Sequence, residues 1–88
     1  FDTANVSNSV ISNGSMIEGT VENSIVGRGC TIKKGAVIKN SIVMQSSVIE
    51  EKAAFINGIA DKDVTITKNR TITGSAEYPV FITKGATV

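Results

Sequence analysis

The stretch VENSIVGRGCTIKKGAV (21–37) is followed by IKNSIVMQSSVIEEKAA (38–54) and FINGIADKDVTITKNRT (55–71). These are three blocks of 17 residues that open on nearly the same hexapeptide. A fourth version, VSNSVISNGSMIEGT (6–20), precedes them and is two residues short. A fixed internal period is the first fold signal to read, and here the large apolar residues set it. From Val21 they fall at Val26, Ile32, Ile38, Val43, Ile49, Phe55, Ala60, Ile66 and Ile72, in steps of 5, 6 and 6. Such steps match neither a helix nor simple strand alternation. They fit a short strand plus a bend, three times per turn. Two positions before each large residue stands a small one, as in Ser24, Cys30, Ala36, Ser41, Ser47, Ala53 and Gly58. Residues i and i+2 of a strand share a face. Large and small therefore both point inward, as a narrow triangular interior requires.

The expected fold is all-β: a left-handed parallel β-helix of hexapeptide repeats, with about four coils over 1–72. The left-handed turn is the known exception to the right-handed crossover preference. Coils stack at about 4.8 Å, and each buries its apolar corners only against its neighbours. Arg70 breaks the small-residue rule and predicts the end of the regular coil there. Pro79 cannot sit in a central strand. Val80–Ile82, the pair Lys84–Gly85 and Thr87–Val88 read as one or two short strands around a turn, so 73–88 is expected to cap the last coil.

The chain has 88 residues, one domain's worth. Nine Lys and Arg against eight Asp and Glu leave no electrostatic footprint for nucleic acid or an anionic membrane. No apolar run approaches the roughly 20 residues of a membrane span. One cysteine rules out an internal disulfide. Starting at Phe1, the chain reads as a piece of something longer.

Few residues suggest chemistry. Many proteins with this repeat transfer acyl groups with a His as general base, and this chain has no His. A stand-alone hexapeptide acyltransferase or scaffold is therefore the rival reading. Cys30 is either a reactive thiol or a small inward residue, and the period favours the second. The GxG in VGRGCT (26–31) lacks the following helix of a phosphate loop, so its glycines read as bend residues. Arg28, Lys33, Lys34 and Lys39 fall within one coil. They are either a solvated surface or an anion site for a phosphorylated effector. The four Asn of the opening motif, Asn8, Asn23, Asn40 and Asn57, are expected to stack into a side-chain hydrogen-bonded ladder. No catalytic, cofactor-binding or metal-binding residue is assigned.

One outward position stands apart. On the five-residue side it is Val10, Ile25, Ile42 and Ile59, aliphatic in every coil. On the other sides it is Met16, Thr31, Val48 and Thr65, and Val37, Ala54 and Thr71. A bare apolar stripe is unusual on a soluble monomer. These four residues are the candidate interface to a missing domain or another subunit.

The run EGTVENSIVGRGCTIKKGAVIKNSIVMQSSVIEEKAAFINGIADKDVTI (18–66), followed by a YPVFITKG tail, resembles the C-terminal domain of bacterial glucose-1-phosphate adenylyltransferase and its glycogen-biosynthesis paralogue. The resemblance covers nearly the whole chain. It implies a parent whose own N-terminal nucleotidyltransferase domain joins ATP and glucose 1-phosphate into ADP-glucose and pyrophosphate with magnesium. That domain's GGxGxRLxPLT loop is absent from these residues. The resemblance further implies a β-helix that supports homo- or hetero-oligomerisation and allosteric control, contributes no catalytic residue, and works in the cytoplasm.

Overall fold

Among the described residues there are fourteen strands of two or three residues: β1 (Asn5–Ser7), β2 (Val10–Ile11), β3 (Met16–Ile17), β4 (Thr20–Glu22), β5 (Ile25–Val26), β6 (Thr31–Ile32), β7 (Val37–Lys39), β8 (Ile42–Val43), β9 (Val48–Ile49), β10 (Ala54–Ile56), β11 (Gly58–Ala60), β12 (Thr65–Ile66), β13 (Thr71–Thr73) and β14 (Val80–Ile82). The computed structural model describes residues 5–88, so the first four residues of the expected coil region lie outside the described part.

Every third strand is a neighbour. Three parallel sheets result, ordered β1-β4-β7-β10-β13, β2-β5-β8-β11-β14 and β3-β6-β9-β12. The register follows the sequence blocks: Val6 lies beside Val21, Val21 beside Ile38, and Ile38 beside Phe55. The three sheets enclose one core in a rod of 32 × 23 × 23 Å, the left-handed parallel β-helix the period predicts. Val21, Val26, Ile32, Ile38, Val43, Ile49, Phe55, Ala60 and Ile66 are fully buried, with Cys30, Ala36, Ala53 and Val64 between them. Burying each Val or Ile side chain contributes about 1.5–3 kcal/mol. These terms accumulate rung by rung along the stack.

Among the described residues twelve corners each hold one residue with positive φ, and the short third corner of the first block, at Gly19, holds none. The first corner uses Asn8, Asn23, Asn40 and Asn57, the second Gly14, Gly29, Ser46, Asp63 and Gly85, the third Gly35, Lys52 and Asn69. Asn and Gly reach this region most readily, which explains why the motif repeats its Asn. The asparagines thus shape the corner first. Of the expected side-chain ladder one step forms among the described residues, Asn8 Nδ2 donating to Asn23 Oδ1, while Asn57 Nδ2 donates instead to the Gly74 backbone carbonyl.

The Ser after each Asn continues the hydrogen bonding that the corner interrupts. Ser24 N donates to Ser9 Oγ, Ser41 N to Ser24 Oγ, and Gly58 N to Ser41 Oγ, at 3.0–3.1 Å. The hydroxyls in turn donate to carbonyls two residues back, Ser24 to Glu22 and Ser41 to Lys39. Gly58 ends the series for a steric reason. A Cβ there would stand 2.5 Å from Cζ of Phe55, the one aromatic residue in that inward column. The larger ring takes the space that Ser occupies in the rungs above.

The two missing residues of the first block fall at its third corner. Gly19 closes that short turn, and a Cβ on it would meet the Ala36 carbonyl oxygen at 2.4 Å. Arg70 does not end the coil backbone: its carbonyl accepts from Ala54 N at 2.7 Å, and β13 extends the sheet below β10. What ends is the series of small inward residues, because the Arg70 side chain is exposed, while Ile72, Ile82, Ala86 and Val88 still pack on the core. The tail then leaves the repeat in a loop over 74–79, returns as β14 beside β11, and bridges Thr87 to Thr65.

Candidate functional site

The sheet of β2, β5, β8, β11 and β14 carries the outward aliphatic column. Strand alternation places Ile25 outside and its neighbour Val26 inside, and the same holds for Ile42 and Val43. Register aligns Val10 with Ile25, Ile25 with Ile42, and Ile42 with Ile59. The structure adds a fifth member that the sequence period does not reveal: Phe81 lies beside Ile59 and is 59% exposed. Four steps of rung spacing make the column about 19 Å long. Val10, Ile25 and Ile42 are also exposed, and Ile59 is half-buried.

The surroundings of the column are nearly uncharged. One edge is the asparagine corner. Two residues beyond the column, the rungs carry Ser12, Gly27, Met44 and Asp61, all half-buried. The loop over 74–79 leans on the lower half, where Asn40, Ile42, Asn57, Ile59, Ala76 and Pro79 line a shallow depression. Tyr78, in the same loop, is 80% exposed. Ser75 fixes the loop: its N donates to the Tyr78 carbonyl, and its Oγ accepts from Tyr78 N at 3.0 Å. Depletion of charge around exposed aliphatic and aromatic side chains is the composition of an interface centre.

The four basic residues do not gather. Arg28 sits at the second corner, Lys33 and Lys34 at the third, and Lys39 at the end of β7 beside the first. Lys39 pairs with Glu22 one rung above, Nζ to Oε2 at 3.9 Å. That exposed pair contributes little to stability. At the third corner the register sets Lys33 between Glu18 and Glu50. Successive rungs there alternate in sign, which removes like-charge repulsion across neighbouring strands and leaves no isolated basic patch.

Cys30 is fully buried. Its Sγ donates to the Met44 carbonyl at 3.1 Å, as Ser47 Oγ one rung below donates to the Asp61 carbonyl at 3.1 Å. Burial pushes its thiol up from the ordinary value, against smaller lowering contributions from neighbouring backbone groups. The thiol thus plays a serine's part in the wall. Among the described residues no three His, Cys, Asp or Glu side chains gather as a metal site.

Comparison with known proteins agrees with this geometry. The family model of GlmU-like, C-terminal hexapeptide proteins matches residues 2–78. The chain is 45% identical over 80 residues to the glycogen biosynthesis protein GlgD of Bacillus subtilis (strain 168), a span that covers 91% of this chain and 23% of that protein. The chain thus spans under a quarter of the length of the curated relative it matches. No solved structure matches it.

Proposed function

The chain belongs to the GlmU-like, C-terminal hexapeptide family, and from that premise we propose that it is the assembly domain of a longer glycogen-biosynthesis protein. The reading rests on the likeness to GlgD and, in the structure, on one observation: the exposed column Val10, Ile25, Ile42, Ile59 and Phe81 on a nearly uncharged face. The occupant we assign to that face is the remainder of the same polypeptide, since the matched span is 23% of the relative. By the sequence resemblance, that remainder is a nucleotidyltransferase domain that uses ATP, glucose 1-phosphate and magnesium, and the β-helix serves as its scaffold in a homo- or hetero-oligomer.

Regulation in this reading belongs to the assembled protein. The cations Arg28, Lys33, Lys34 and Lys39 occupy three corners of the rod, so a phosphorylated effector that touches any of them takes further donors from the docked domain.

The test is the double substitution Ile25→Lys with Ile42→Lys in the full-length protein. The expected result is a β-helix released from its neighbour, seen as new cleavage between the domains in limited proteolysis, with the β spectrum intact. Dissociation of subunits without such cleavage would reassign the face to another copy. Unchanged proteolysis, oligomeric state and solubility would overturn the proposal.

A further inference from the structure

The last two rungs cross the first corner differently. β10 passes to β11 through Asn57 alone, whereas β13 passes to β14 through the six residues 74–79. Register shows that both crossings are the same corner, since Ile56 lies beside Thr73 and Gly58 beside Val80. The loop is therefore an insertion in a coil that closes without one in the rung above.

This insertion is held at its base and at its tip. At the base Gly74 N donates to the Ile56 carbonyl at 2.8 Å, Val80 N to the Asn57 carbonyl at 3.1 Å, and Asn57 Nδ2 to the Gly74 carbonyl at 3.2 Å. A Cβ on Gly74 would run into the Asn57 carbonyl oxygen, so the loop enters close against the corner above. At the tip Ser75 N donates to the Tyr78 carbonyl at 3.2 Å, and Tyr78 N donates to Ser75 Oγ at 3.0 Å. Pro79 follows, with a fixed φ and no N–H to satisfy. The backbone is ordered, yet Tyr78 is the most exposed large hydrophobic side chain among the described residues.

Where the loop lies indicates the kind of partner the ring meets. Ala76 and Pro79 share one shallow depression with Ile42 and Ile59, so the lower half of the aliphatic column already has polypeptide against it. Phe81, the other exposed aromatic among the described residues, ends the same column. Tyrosine is enriched among the few residues that dominate protein interfaces. It brings a large amphipathic surface at the cost of ordering two rotatable bonds, and a loop already ordered by folding adds little further cost on binding.

We propose that Tyr78 is the anchor by which the rest of the polypeptide docks on this face, with Ser75 as the residue that positions it. The inference rests on the docking proposed above and adds a residue outside the column. The column offers a flat strip. The tyrosine enters a pocket of the docked domain, its ring among apolar side chains and its hydroxyl on a polar group.

The test is hydroxyl-radical footprinting of the full-length protein, read by mass spectrometry at Ile25, Ile42, Tyr78 and Phe81. The expected result is slow labelling of Tyr78 in the native protein, and labelling at the rate of a free tyrosine once Ile25→Lys with Ile42→Lys releases the domain. Tyr78→Ala is expected to raise the open population roughly 30-fold, the effect of truncating an interface anchor, seen as faster cleavage between the domains. Ser75→Ala is expected to speed labelling of Tyr78, while Ser75→Thr, which keeps the acceptor oxygen, holds it at the native rate. Protected Ile25, Ile42 and Phe81 beside a freely labelled Tyr78 would overturn the anchor and leave the docking standing. Free labelling at all four would remove both. Protection of Tyr78 that fades on dilution would give the loop to a second copy and overturn the assignment. An unchanged cleavage rate in folded Tyr78→Ala would overturn it too, and native labelling in Ser75→Ala would strike the positioning role of Ser75.

Discussion

Ile42 and Val43 are neighbours in one two-residue strand, both aliphatic, and they answer to different demands. Val43 is fully buried inside the rod, and Ile42 is 36% exposed on its outer face. The interior fixes its residues by volume, since four rungs of Val, Ile, Phe and Ala must fill one narrow prism without voids. Among the described residues the outer face meets only the 74–79 loop, along its lower half. The fold requires an apolar residue at 43 and only a strand-compatible one at 42. In the docking proposed above, the recurrence of Val or Ile at 10, 25, 42 and 59 answers to a demand from outside the rod.

The sharpest way to break that comparison is to place the same charge on each side of it. Val43→Asp buries a carboxylate with no partner, and the expected loss is on the order of 5 kcal/mol, enough to unfold a domain of this size. Ile42→Asp is expected to change stability by no more than about 0.5 kcal/mol, while it weakens docking in the full-length protein. Urea midpoints of the two variants measure the difference. Comparable losses would mean that Ile42 belongs to the core, and the outer column would lose its meaning as a docking face.

A second test stays inside the prism and compares two rungs. Ile38 is followed by Ser41, and Phe55 by Gly58, so a larger side chain goes with a smaller one. Gly58→Ser would press a Cβ into the Phe55 ring, and overpacking of this kind costs about 1–3 kcal/mol. Adding Phe55→Ile copies the rung above and restores most of that loss, giving a favourable coupling within about 0.5–3 kcal/mol. If the two losses simply add, size compensation is not what links these positions.

Most of the rod was legible in the sequence because its period is written in side-chain volume. Each inward position repeats every 15 or 17 residues, and parallel register aligns like with like. The fifth member of the outer column was not legible. The loop over 74–79 breaks the period, and nothing in the spacing of Phe81 shows that its strand returns beside β11. The role of the asparagines was half legible: their alignment follows from the repeat, but their positive φ, and the serine ladder that bridges the corner, depend on backbone geometry. The basic residues were the least legible. Arg28, Lys33, Lys34 and Lys39 lie within 12 positions of one another, yet the coil turns twice between the first and the last. On a rod whose every turn has three corners, closeness in sequence separates side chains, and closeness in space comes from the 17-residue step.

The smallest effect expected inside the prism concerns Cys30. Burial holds its thiol above the ordinary value in the folded chain. Below the unfolded thiol's pKa, both states keep the proton and stability does not respond to pH through this group. Above it, the unfolded chain releases the proton while the folded chain keeps it. Stability therefore falls as pH rises from the unfolded value toward the raised folded one. Cys30→Ser should remove that slope without disturbing the wall, because Ser47 makes the same donation to a carbonyl one rung below. Urea midpoints of the two proteins, followed from neutral to alkaline pH, are expected to differ least at neutral pH and to shift in favour of the variant as pH rises. Curves that stay parallel would show that Cys30 titrates alike in both states, and the thiol would then be open to water as a core residue is not.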